Sequence, residues 1–464
     1  MWVFLEKGST TVLQFLAIIV LGRLLTPEDY GTYGIMIIFI AISDALIDSG
    51  FGGALIHKKN VLPEDINTLF VTNATFSAIL YALIFVGAPF LEEYYAVPNL
   101  SLFFRVLGLV VISYAFSIVQ NSMLIRDLRF RTSTFITLSA AILSTTIAIV
   151  LASLGLGIWA LIIQVLSQSI IATSILWMRS KVKIGTKISK QSFKDFWNFG
   201  SNLLGAHILQ SIVNNVSKSI IPKIGTWGQS GLYFQACKLN NVPVNIMSMS
   251  IDKSLFPILS KETTTDRIVK KARSINRYFI TYLFPIFPLV SLVSYPLIKI
   301  VLGVKWLAAT DYLEIILWSG IPLIIQSLYR NILKSLGYTR YIFIVELIKS
   351  AFLLSFILIA MNFGVLFLVW AVTIASFIGA IIWGVCLNVK ANYRLLDQIS
   401  DLIRPVLITI LDYVIMKFFT KGSHELWTLM VLPMGYMLYL LIGTVTHNSE
   451  ITTVIKLVRN KIHI

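Results

Sequence analysis

The chain has 464 residues, of which 57% are hydrophobic and 13% are charged, and its mean hydropathy is +0.82. Soluble proteins carry roughly a quarter charged residues, so this composition excludes a soluble enzyme and indicates an integral membrane protein. The formal net charge is +16. We assign these cations to the flanks of membrane spans rather than to a nucleic-acid surface, because no basic cluster is interleaved with stacking aromatic side chains.

The chain begins with two hydrophobic stretches, 2–25 and 35–56. Each is long enough as a helix to cross the ~30 Å hydrocarbon core of a bilayer. Between them lies TPEDYG at 26–31. Pro27 lacks a backbone donor and disfavours helix in the residue before it, and the acids after it suit the N-terminus of a new helix. This segment therefore predicts a hairpin of two spanning helices.

Hydrophobic windows of spanning length recur along the rest of the chain. In the first half they lie at 68–90, 101–124, 134–154 and 157–178, and a strongly basic segment follows at 179–194. In the second half they lie at 197–221, 229–257, 279–302, 311–333, 341–361, 364–388, 403–419 and 425–446. The sequence thus predicts an all-α polytopic membrane protein of about fourteen transmembrane helices.

A weak copy of the first hairpin returns halfway along the chain. Phe199-Gly200-Ser201 echoes Lys7-Gly8-Ser9, and Gly231-Leu-Tyr233 echoes Gly31-Thr-Tyr33. Repeats about a central site are a recurring architecture of transporters. The echo predicts two similar helical bundles that face each other across a cavity.

The distribution of Lys and Arg predicts the orientation. With the N-terminus inside, roughly 25 of these residues fall in cytoplasmic connections, as the orientation rule requires. The opposite loops contain little beyond Arg23, Lys223, Lys305 and Lys421. We expect an even number of spans, with both termini cytoplasmic. The outer loops are short, so function must reside within the bundle or at its cytoplasmic rim.

Enzyme classes receive little support from the sequence. The phosphate-binding pattern G-x-x-x-x-G-K-[ST] is absent, so the chain is not expected to hydrolyse ATP. A glycosyltransferase or sugar polymerase would be expected to show a cytoplasmic catalytic domain or a large outer loop with acids and histidines, and the sequence has neither. We therefore expect a protein that is not an enzyme and that needs no metal or cofactor.

The first hairpin and seven later segments form an ordered set of motifs. The first is LGRLLTPEDYG with the upstream Trp2-x-Phe4-Leu5-Glu6-Lys7. The others follow in order: SGFGGALIHKK at 49–59, Asp65-x-Asn67-Thr68-x-Phe70, APFLEEYYAVPNL at 88–100, VQNSMLIRDLRFR at 119–131, LGLGIWALIIQ at 154–164, FPILSK at 256–261 and GVKW at 303–306. Together these segments resemble Wzx-type lipid-linked oligosaccharide flippases, and the set is similar to the group that handles colanic-acid-like repeat units. The short polar N-terminus usual in this family is missing, which predicts a misassigned start at Met1.

The resemblance implies an antiporter-like fold of the multidrug/oligosaccharidyl-lipid/polysaccharide (MOP) exporter superfamily. It implies pseudo-symmetric lobes of six helices at 1–178 and 197–388, joined by a basic cytoplasmic linker at 179–196 and followed by two extra helices and a tail at 389–464. The implied function is to flip undecaprenyl-pyrophosphate-linked oligosaccharide repeats across the bacterial inner membrane by alternating access. Further implied partners are membrane lipids, a polysaccharide polymerase and export machinery, but no nucleic acid. The rival interpretation is a cation-coupled multidrug exporter of the same superfamily.

The predicted binding site lies on the first, second, seventh and eighth helices, which the resemblance places around the cavity. Charged side chains inside spans are expensive and mark function, and fixed cations suit an anionic pyrophosphate. Lys218 and Lys238 are the leading candidates and Lys253 is a third, with snorkelling to an interface as the alternative. Amide side chains suit carbohydrate hydroxyls, with interhelical hydrogen bonding as the alternative. These amides are Asn214, Asn215, Asn240, Asn241 and Asn245.

A pair of acids on the second helix predicts an ion-coupling site. Asp44 and Asp48 are four residues apart and so lie on one helical face. Two like charges this close oppose each other's ionisation, as a site that couples transport to H⁺ or Na⁺ requires. Alternatively, these acids pair with Lys218 or Lys238, or cap a helix break. Farther along, Glu346 and Lys349 are three residues apart and predict an intrahelical ion pair.

Overall fold

The computed structural model describes residues 2–48, 52–53, 55, 58, 60–180, 182, 184–259, 261–262, 264–420 and 425–453. Over these residues the regular secondary structure is entirely helical. Contacts divide the chain into two compact units, 1–234 and 235–464, and we treat each unit by itself. The boundary at 234 differs from the predicted lobe boundaries, and the four-part division at 178, 196 and 388 stays a prediction.

The first seven helices belong to unit 1. They are α1 (Trp2–Leu24), α2 (Pro27–Asp48), α3 (Pro63–Tyr95), α4 (Leu100–Arg126), α5 (Phe130–Ser153), α6 (Ile158–Arg179) and α7 (Lys190–Ile224). Helix α3 packs along α4, α5 packs along α6, α1 lies against α5, and α2 lies against α7. The first turns of α8 (Trp227–Leu259) complete this unit.

The remaining helices belong to unit 2. They are α9 (Thr265–Leu283), α10 (Ile286–Leu292), α11 (Ser294–Val301), α12 (Thr310–Leu317), α13 (Gly320–Ser335), α14 (Thr339–Ala360), α15 (Val365–Ala391), α16 (Leu395–Thr420) and α17 (Glu425–Val445). Two short 3₁₀ turns, Val304–Ala309 and Met361–Phe363, connect them. Pro285 separates α9 from α10, as expected of a residue that removes a helix hydrogen bond.

The structure confirms a polytopic all-α membrane protein. Nine stretches of the described chain are long and apolar enough to cross a bilayer. The other predicted spans also coincide with helices in the described residues, although two of the fourteen consist of successive shorter helices. Several helices extend beyond their apolar segment. Helix α2, for example, has an apolar stretch from residue 35 but starts at Pro27, where the acids of TPEDYG were expected to begin a new helix.

The basic linker is held against the start of α3. The backbone N–H of Gly185 donates to Asn67 Oδ1 at 2.6 Å, and that of Ser189 donates to Thr68 Oγ1 at 2.9 Å. One turn earlier, Lys58 Nζ lies 2.6 Å from Oδ1 of the buried Asp65. The run Asp65-x-Asn67-Thr68 therefore has a structural role, because it holds both the segment before α3 and the linker after α6.

Candidate functional site

Helices α2 and α8 begin with the same reciprocal cap. Thr26 Oγ1 donates to Asp29 Oδ2 at 3.0 Å and accepts from the Asp29 N–H at 3.3 Å. At the start of α8, the Thr226 N–H donates to Gln229 Oε1 at 2.9 Å, and Thr226 Oγ1 accepts from the Gln229 N–H at 3.1 Å. Each cap satisfies backbone donors that a helix start leaves without partners. This agreement supports the predicted repeat.

The two capped helix starts touch each other through glycine. A Cβ atom on Gly31 would overlap the carbonyl oxygen of Trp227, and one on Gly231 would overlap the carbonyl oxygen of Pro27. Only glycine lets two helix backbones approach this closely. The predicted Gly-x-Tyr echo is therefore a contact between helices, and it fixes where α8 starts relative to α2.

Lys218 lies on α7 beside this junction. Its Nζ donates to Asn215 Oδ1 at 2.8 Å and lies 5.9 Å from the ring centroid of Phe234. The Phe234 ring packs edge-on against Tyr33, with centroids 5.9 Å apart. Lys218 is half-buried, and its hydrogen-bond partner is a neutral amide. The positive charge is thus held in place without being neutralised by that partner, so it can attract an anion.

In unit 2 the predicted residues of α8 form a polar stripe. Lys238, Asn241, Asn245 and Asp252 follow one another at helical spacing on one face. Asn241, Asn245 and Asp252 are exposed. Asn240 belongs to another face, is buried, and donates to Ser319 Oγ at 3.5 Å. The amide-rich face of the prediction is therefore two faces, of which Asn240 serves the core of unit 2.

Helix α13 presents polar side chains to Asp252, at the C-terminal end of this stripe. Asn331 Nδ2 donates to Asp252 Oδ1 at 2.5 Å, and Ser327 Oγ donates to the same oxygen at 3.2 Å. Arg330 lies between these two donors in sequence, is half-buried, and has no hydrogen-bond or ion-pair partner in the described part of the chain. The sequence did not predict a role for Arg330. Its signal was an arginine inside an apolar span.

A second charged group of unit 2 connects α13, α14 and α15. Lys349 Nζ lies 2.5 Å from Glu346 Oε2, which confirms the predicted intrahelical pair, and 3.3 Å from Gln326 Oε1. Gln326 Nε2 donates to the carbonyl oxygen of Ser376 at 2.8 Å. A Cβ on Gly379 would press against the Lys349 side chain, with its Cδ only 2.9 Å away. These contacts satisfy the charges within the bundle, so we assign the group to packing rather than to a ligand.

Unit 1 contains a separate polar cavity of about 190 Å³. It is lined by side chains of α4, α5 and α6: Tyr114, Ser117, Asn121, Ser133, Ile136, Thr137, Ser169, Ala172, Thr173 and Leu176. Seven of these ten residues carry a hydroxyl or amide group, apolar atoms form the larger part of the cavity surface, and none of the side chains is charged at neutral pH. A cavity of this kind has room for a few hydrogen-bonded waters but has no charge with which to select an anion.

Of the two acids proposed for ion coupling, the structure describes the side chain of Asp44 only. Asp44 is exposed on α2 and lies close enough to Tyr114 to interact with it electrostatically. Tyr33, which contacts the ring beside Lys218, is three turns away from Asp44 on the same helix, about 16 Å along its axis. Asp44 therefore does not reach Lys218. The side chains of Asp48, Asn214 and Lys253 lie outside the described residues.

Ion pairs connect one end of α9 to α16 and to the segment after α17. Arg273 lies 2.7 Å from Asp401 and 3.0 Å from Asp397, and Arg277 lies 2.9 Å from Glu450. Lys271 of α9 donates at 2.6 Å to Glu262, in the connection before this helix, and lowers the pKa of this carboxyl group. These three cations are paired within unit 2, so we assign them to its packing rather than to a ligand.

Sequence comparison places the chain in a family. The family model described as polysaccharide biosynthesis protein matches residues 20–311. The chain belongs to this family. It is 23% identical to the teichuronic acid biosynthesis protein TuaB of Bacillus subtilis, over 88% of this chain and 85% of that protein. It is 23% identical to the succinoglycan biosynthesis transport protein ExoT of Rhizobium meliloti, over 75% and 71%.

Solved structures identify the fold of this family member. The chain superposes on an inward closed structure of the lipid II flippase MurJ with a TM-score of 0.79 and 14% identity, covering 96% of this chain and 98% of that chain. A multidrug resistance MATE-family transporter of the MOP superfamily matches with a TM-score of 0.61 and 15% identity, over 84% and 94%. The expected MOP-type fold is thereby confirmed.

Proposed function

We propose that this protein flips undecaprenyl-pyrophosphate-linked oligosaccharide repeat units from the cytoplasmic to the periplasmic leaflet of the bacterial inner membrane. Membership of the polysaccharide biosynthesis family supports a role in making surface polysaccharide. ExoT is named as a transport protein, and MurJ, named as a flippase, has the same fold. The repeat unit so delivered would serve surface polysaccharide synthesis such as capsule, O-antigen or exopolysaccharide, with a polysaccharide polymerase and export machinery as the downstream partners.

The observation that carries this proposal is the exposed polar stripe of α8. Asn241, Asn245 and Asp252 lie on a helix of spanning length, where polar side chains in contact with lipid would be costly. They therefore face water within the membrane. Amide groups both donate and accept hydrogen bonds, as do the hydroxyls of a sugar. Such a surface replaces part of the hydration that an oligosaccharide loses on entering the membrane.

The two cations have the chemistry to bind the pyrophosphate. Lys218 is held by a neutral amide, and Arg330 has no acceptor among the described residues. An arginine can bind phosphate oxygens through two parallel hydrogen bonds, whereas a lysine acts as a point charge. Lys218 lies near the C-terminal end of α7 and Arg330 near the C-terminal end of α13; the predicted orientation puts the first at the periplasmic side and the second at the cytoplasmic side. We infer that Arg330 receives the headgroup on the cytoplasmic side and that Lys218 binds it before release, in an alternating-access cycle.

We further propose that the cycle is driven by H⁺ or Na⁺, with Asp44 and Asp48 as the coupling acids. The exposure of Asp44 on α2 supports this role, because an acid that exchanges an ion must be reached from water. Abolishing the proton gradient or the sodium gradient separately in whole cells should stop export in one case only. Export that continues without either gradient would remove the coupling role of these acids.

The test begins with deletion of the gene and extraction of lipid-linked sugars from each membrane leaflet. We expect complete repeat units to accumulate on the cytoplasmic side, and the intact gene to restore export. Incomplete repeat units would instead indicate an assembly enzyme. Increased drug sensitivity without accumulation would favour the multidrug exporter, an alternative that the MATE-family likeness supports only at the level of fold.

Charge removal then tests the two cations. Lys218→Gln and Arg330→Gln should each reduce export roughly tenfold or more, since a hydrogen bond to a charged group contributes about 1.5–3 kcal/mol. Lys334→Gln is the matched control, because this exposed lysine lies on the same helix as Arg330. All three variants should reach the membrane at normal levels. Normal export by the Lys218 and Arg330 variants would show that these residues do not bind the headgroup.

A further inference from the structure

An aspartate is buried without a partner inside the C-terminal helix pair, α16 and α17. Asp412 of α16 exposes 1% of its surface, and neither carboxylate oxygen has a hydrogen-bond partner. It belongs to the buried face of α16, whose other members are Gln398, Asp401, Pro405, Ile408, Thr409 and Met416. The cytoplasmic members of this face, Gln398 and Asp401, have partners. Asp412 lies farther along the helix, where the face is otherwise largely apolar.

Two apolar layers enclose Asp412 from below and above. One turn before it, Ile408 packs in a cluster with Tyr439 and Ile451. One turn after it, Met416 packs in a cluster that includes Leu289 of α10. Gly435 of α17 packs against Leu289 and Met416, because a Cβ on this glycine would lie 2.5 Å from Leu289 Cδ2 and 3.2 Å from Met416 Cγ. Because α16 and α17 are antiparallel neighbours, Asp412 lies opposite the turn from Gly435 to Tyr439.

The polar groups nearest to Asp412 are hydroxyls rather than cations. Thr409 is 4% exposed and its hydroxyl has no hydrogen bond of normal geometry. Tyr439 lies within electrostatic range of Asp412, and its hydroxyl donates to the carbonyl oxygen of Thr281 on α9 at 2.7 Å. The Thr281 hydroxyl is also buried without a partner. These groups form a small polar pocket that contains one acid.

No described cation compensates this acid. Helix α10 has no titratable side chain, and the titratable residues described on α17 are the phenols Tyr436 and Tyr439. On α9 the cations Arg273 and Arg277 bind Asp397, Asp401 and Glu450, and Tyr282 donates to the backbone of Glu450. On α15, Lys390 lies over the ring of Tyr341 and Cys386 is a free thiol. Asp401 itself is about 16 Å from Asp412 along α16.

An unpaired charge is not stable in such surroundings. Burial disfavours the charged form of an acid, and an isolated carboxylate in an apolar interior takes up a proton instead. We propose that Asp412 is a proton-binding site inside the C-terminal helix pair, protonated while α16 and α17 pack against α10. Loss of the proton places a charge against Leu289 and Met416. Deprotonation therefore loosens this packing, and the position of the pair responds to pH.

Infrared spectroscopy tests the protonation directly, on purified full-length protein in lipid nanodiscs. The wild-type spectrum minus that of Asp412→Asn should contain the C=O band of a neutral carboxylic acid at about pH 6. The matched control is Asp311→Asn, because Asp311 is an exposed acid at the start of α12 and its removal should delete a carboxylate band only. If the Asp412 difference also shows only a carboxylate band, the acid is charged in the packed pair and the proposal is wrong.

Hydrogen exchange tests the link to packing. Amide exchange in α16 and α17, measured relative to α14 and α15 and corrected for intrinsic rates, should increase with pH in the wild type. An opening linked to one proton changes its equilibrium constant by up to about tenfold per pH unit. Asp412→Asn, and Asp412→Leu as a second neutral variant, should remove this slope. Equal slopes in all proteins, or a response to Na⁺ at constant pH, would overturn the proposal.

Neither measurement requires a transported substrate. The outcome therefore does not depend on the proposed flipping of oligosaccharides. If the gene deletion failed to accumulate repeat units while the acid band and the exchange slope were observed, the flippase assignment would fail and the proton site would remain. The reverse pattern would leave the flippase and remove the proton site.

Discussion

Helices α2 and α8 start alike and then diverge. Both begin with a threonine cap and carry a glycine at the same position, and these glycines meet. After Gly31 the sequence of α2 is TYGIMIIFIAI, whereas after Gly231 the sequence of α8 includes CKLNNVPVN. The two copies are therefore similar where their backbones touch and different where side chains face outward. The close contact of the two backbones at Gly31 and Gly231 explains the similarity of the helix starts. We attribute the difference in the later turns to substrate contact by α8.

The largest expected effect comes from closing the glycine contact. Gly231→Ala places a methyl group on the carbonyl oxygen of Pro27, and overpacking of this kind costs typically 1–3 kcal/mol or more. We expect a marked fall in the Tm of the purified protein and loss of export. Gly228→Ala is the control, because its Cβ would meet the end of a flexible side chain, Glu28 Oε1, at 2.8 Å. Equal Tm values for the two variants would disprove the backbone contact.

The next effect concerns the divergent part of α8. Replacing Asn241 and Asn245 together by leucine makes this face of α8 apolar like α2. We expect export to fall roughly thirtyfold, as for the loss of two hydrogen bonds of about 1 kcal/mol each, while membrane insertion and Tm are retained. Asn362→Leu, at an exposed amide in the short turn after α14, should leave export unchanged. Normal export by the double variant would mean that α8 does not contact the sugar.

The smallest effect concerns the caps. Thr26→Ala and Thr226→Ala each remove a capping hydroxyl, and such substitutions cost typically about 1 kcal/mol. We expect similar, small decreases in Tm from thermal unfolding in detergent, with export near normal. Similar values would confirm that the two helix starts are equivalent. A large decrease for one variant and none for the other would show that the caps are equivalent in sequence pattern alone.

Much of the fold could be predicted from the sequence because hydrophobic length determines it. A helix must be about twenty residues long to cross a bilayer, so the positions of the spans follow from composition. The apolar stretches do not by themselves give the helix ends. The apolar stretch of α2 begins at residue 35, but the helix begins at Pro27, because Glu28 and Asp29 are favourable in the first turn of a helix whose cap is Thr26, as the TPEDYG segment predicted.

The site was harder to predict because it depends on which face of a helix a side chain occupies. Asn240 and Asn241 are adjacent and chemically identical, yet one is buried against Ser319 and the other is exposed. The pairing of Lys349 with Glu346 could be predicted from their spacing, but no local pattern shows that Arg330 has no described partner. Asp412 escaped notice because its isolation depends on how α10, which is distant in sequence, and α17 pack against it.

The attachment of the basic linker to α3 has a consequence for biogenesis. Asn67 and Thr68 enter the membrane early, but the backbone groups that they bind, at Gly185 and Ser189, are synthesised more than a hundred residues later. During translation these side chains therefore lack these partners until α3 to α6 and the linker have been synthesised. The linker then closes over them as α7 emerges. Completion of unit 1 is thereby timed to the beginning of the second repeat, and a nascent chain arrested before residue 185 would lack this closure.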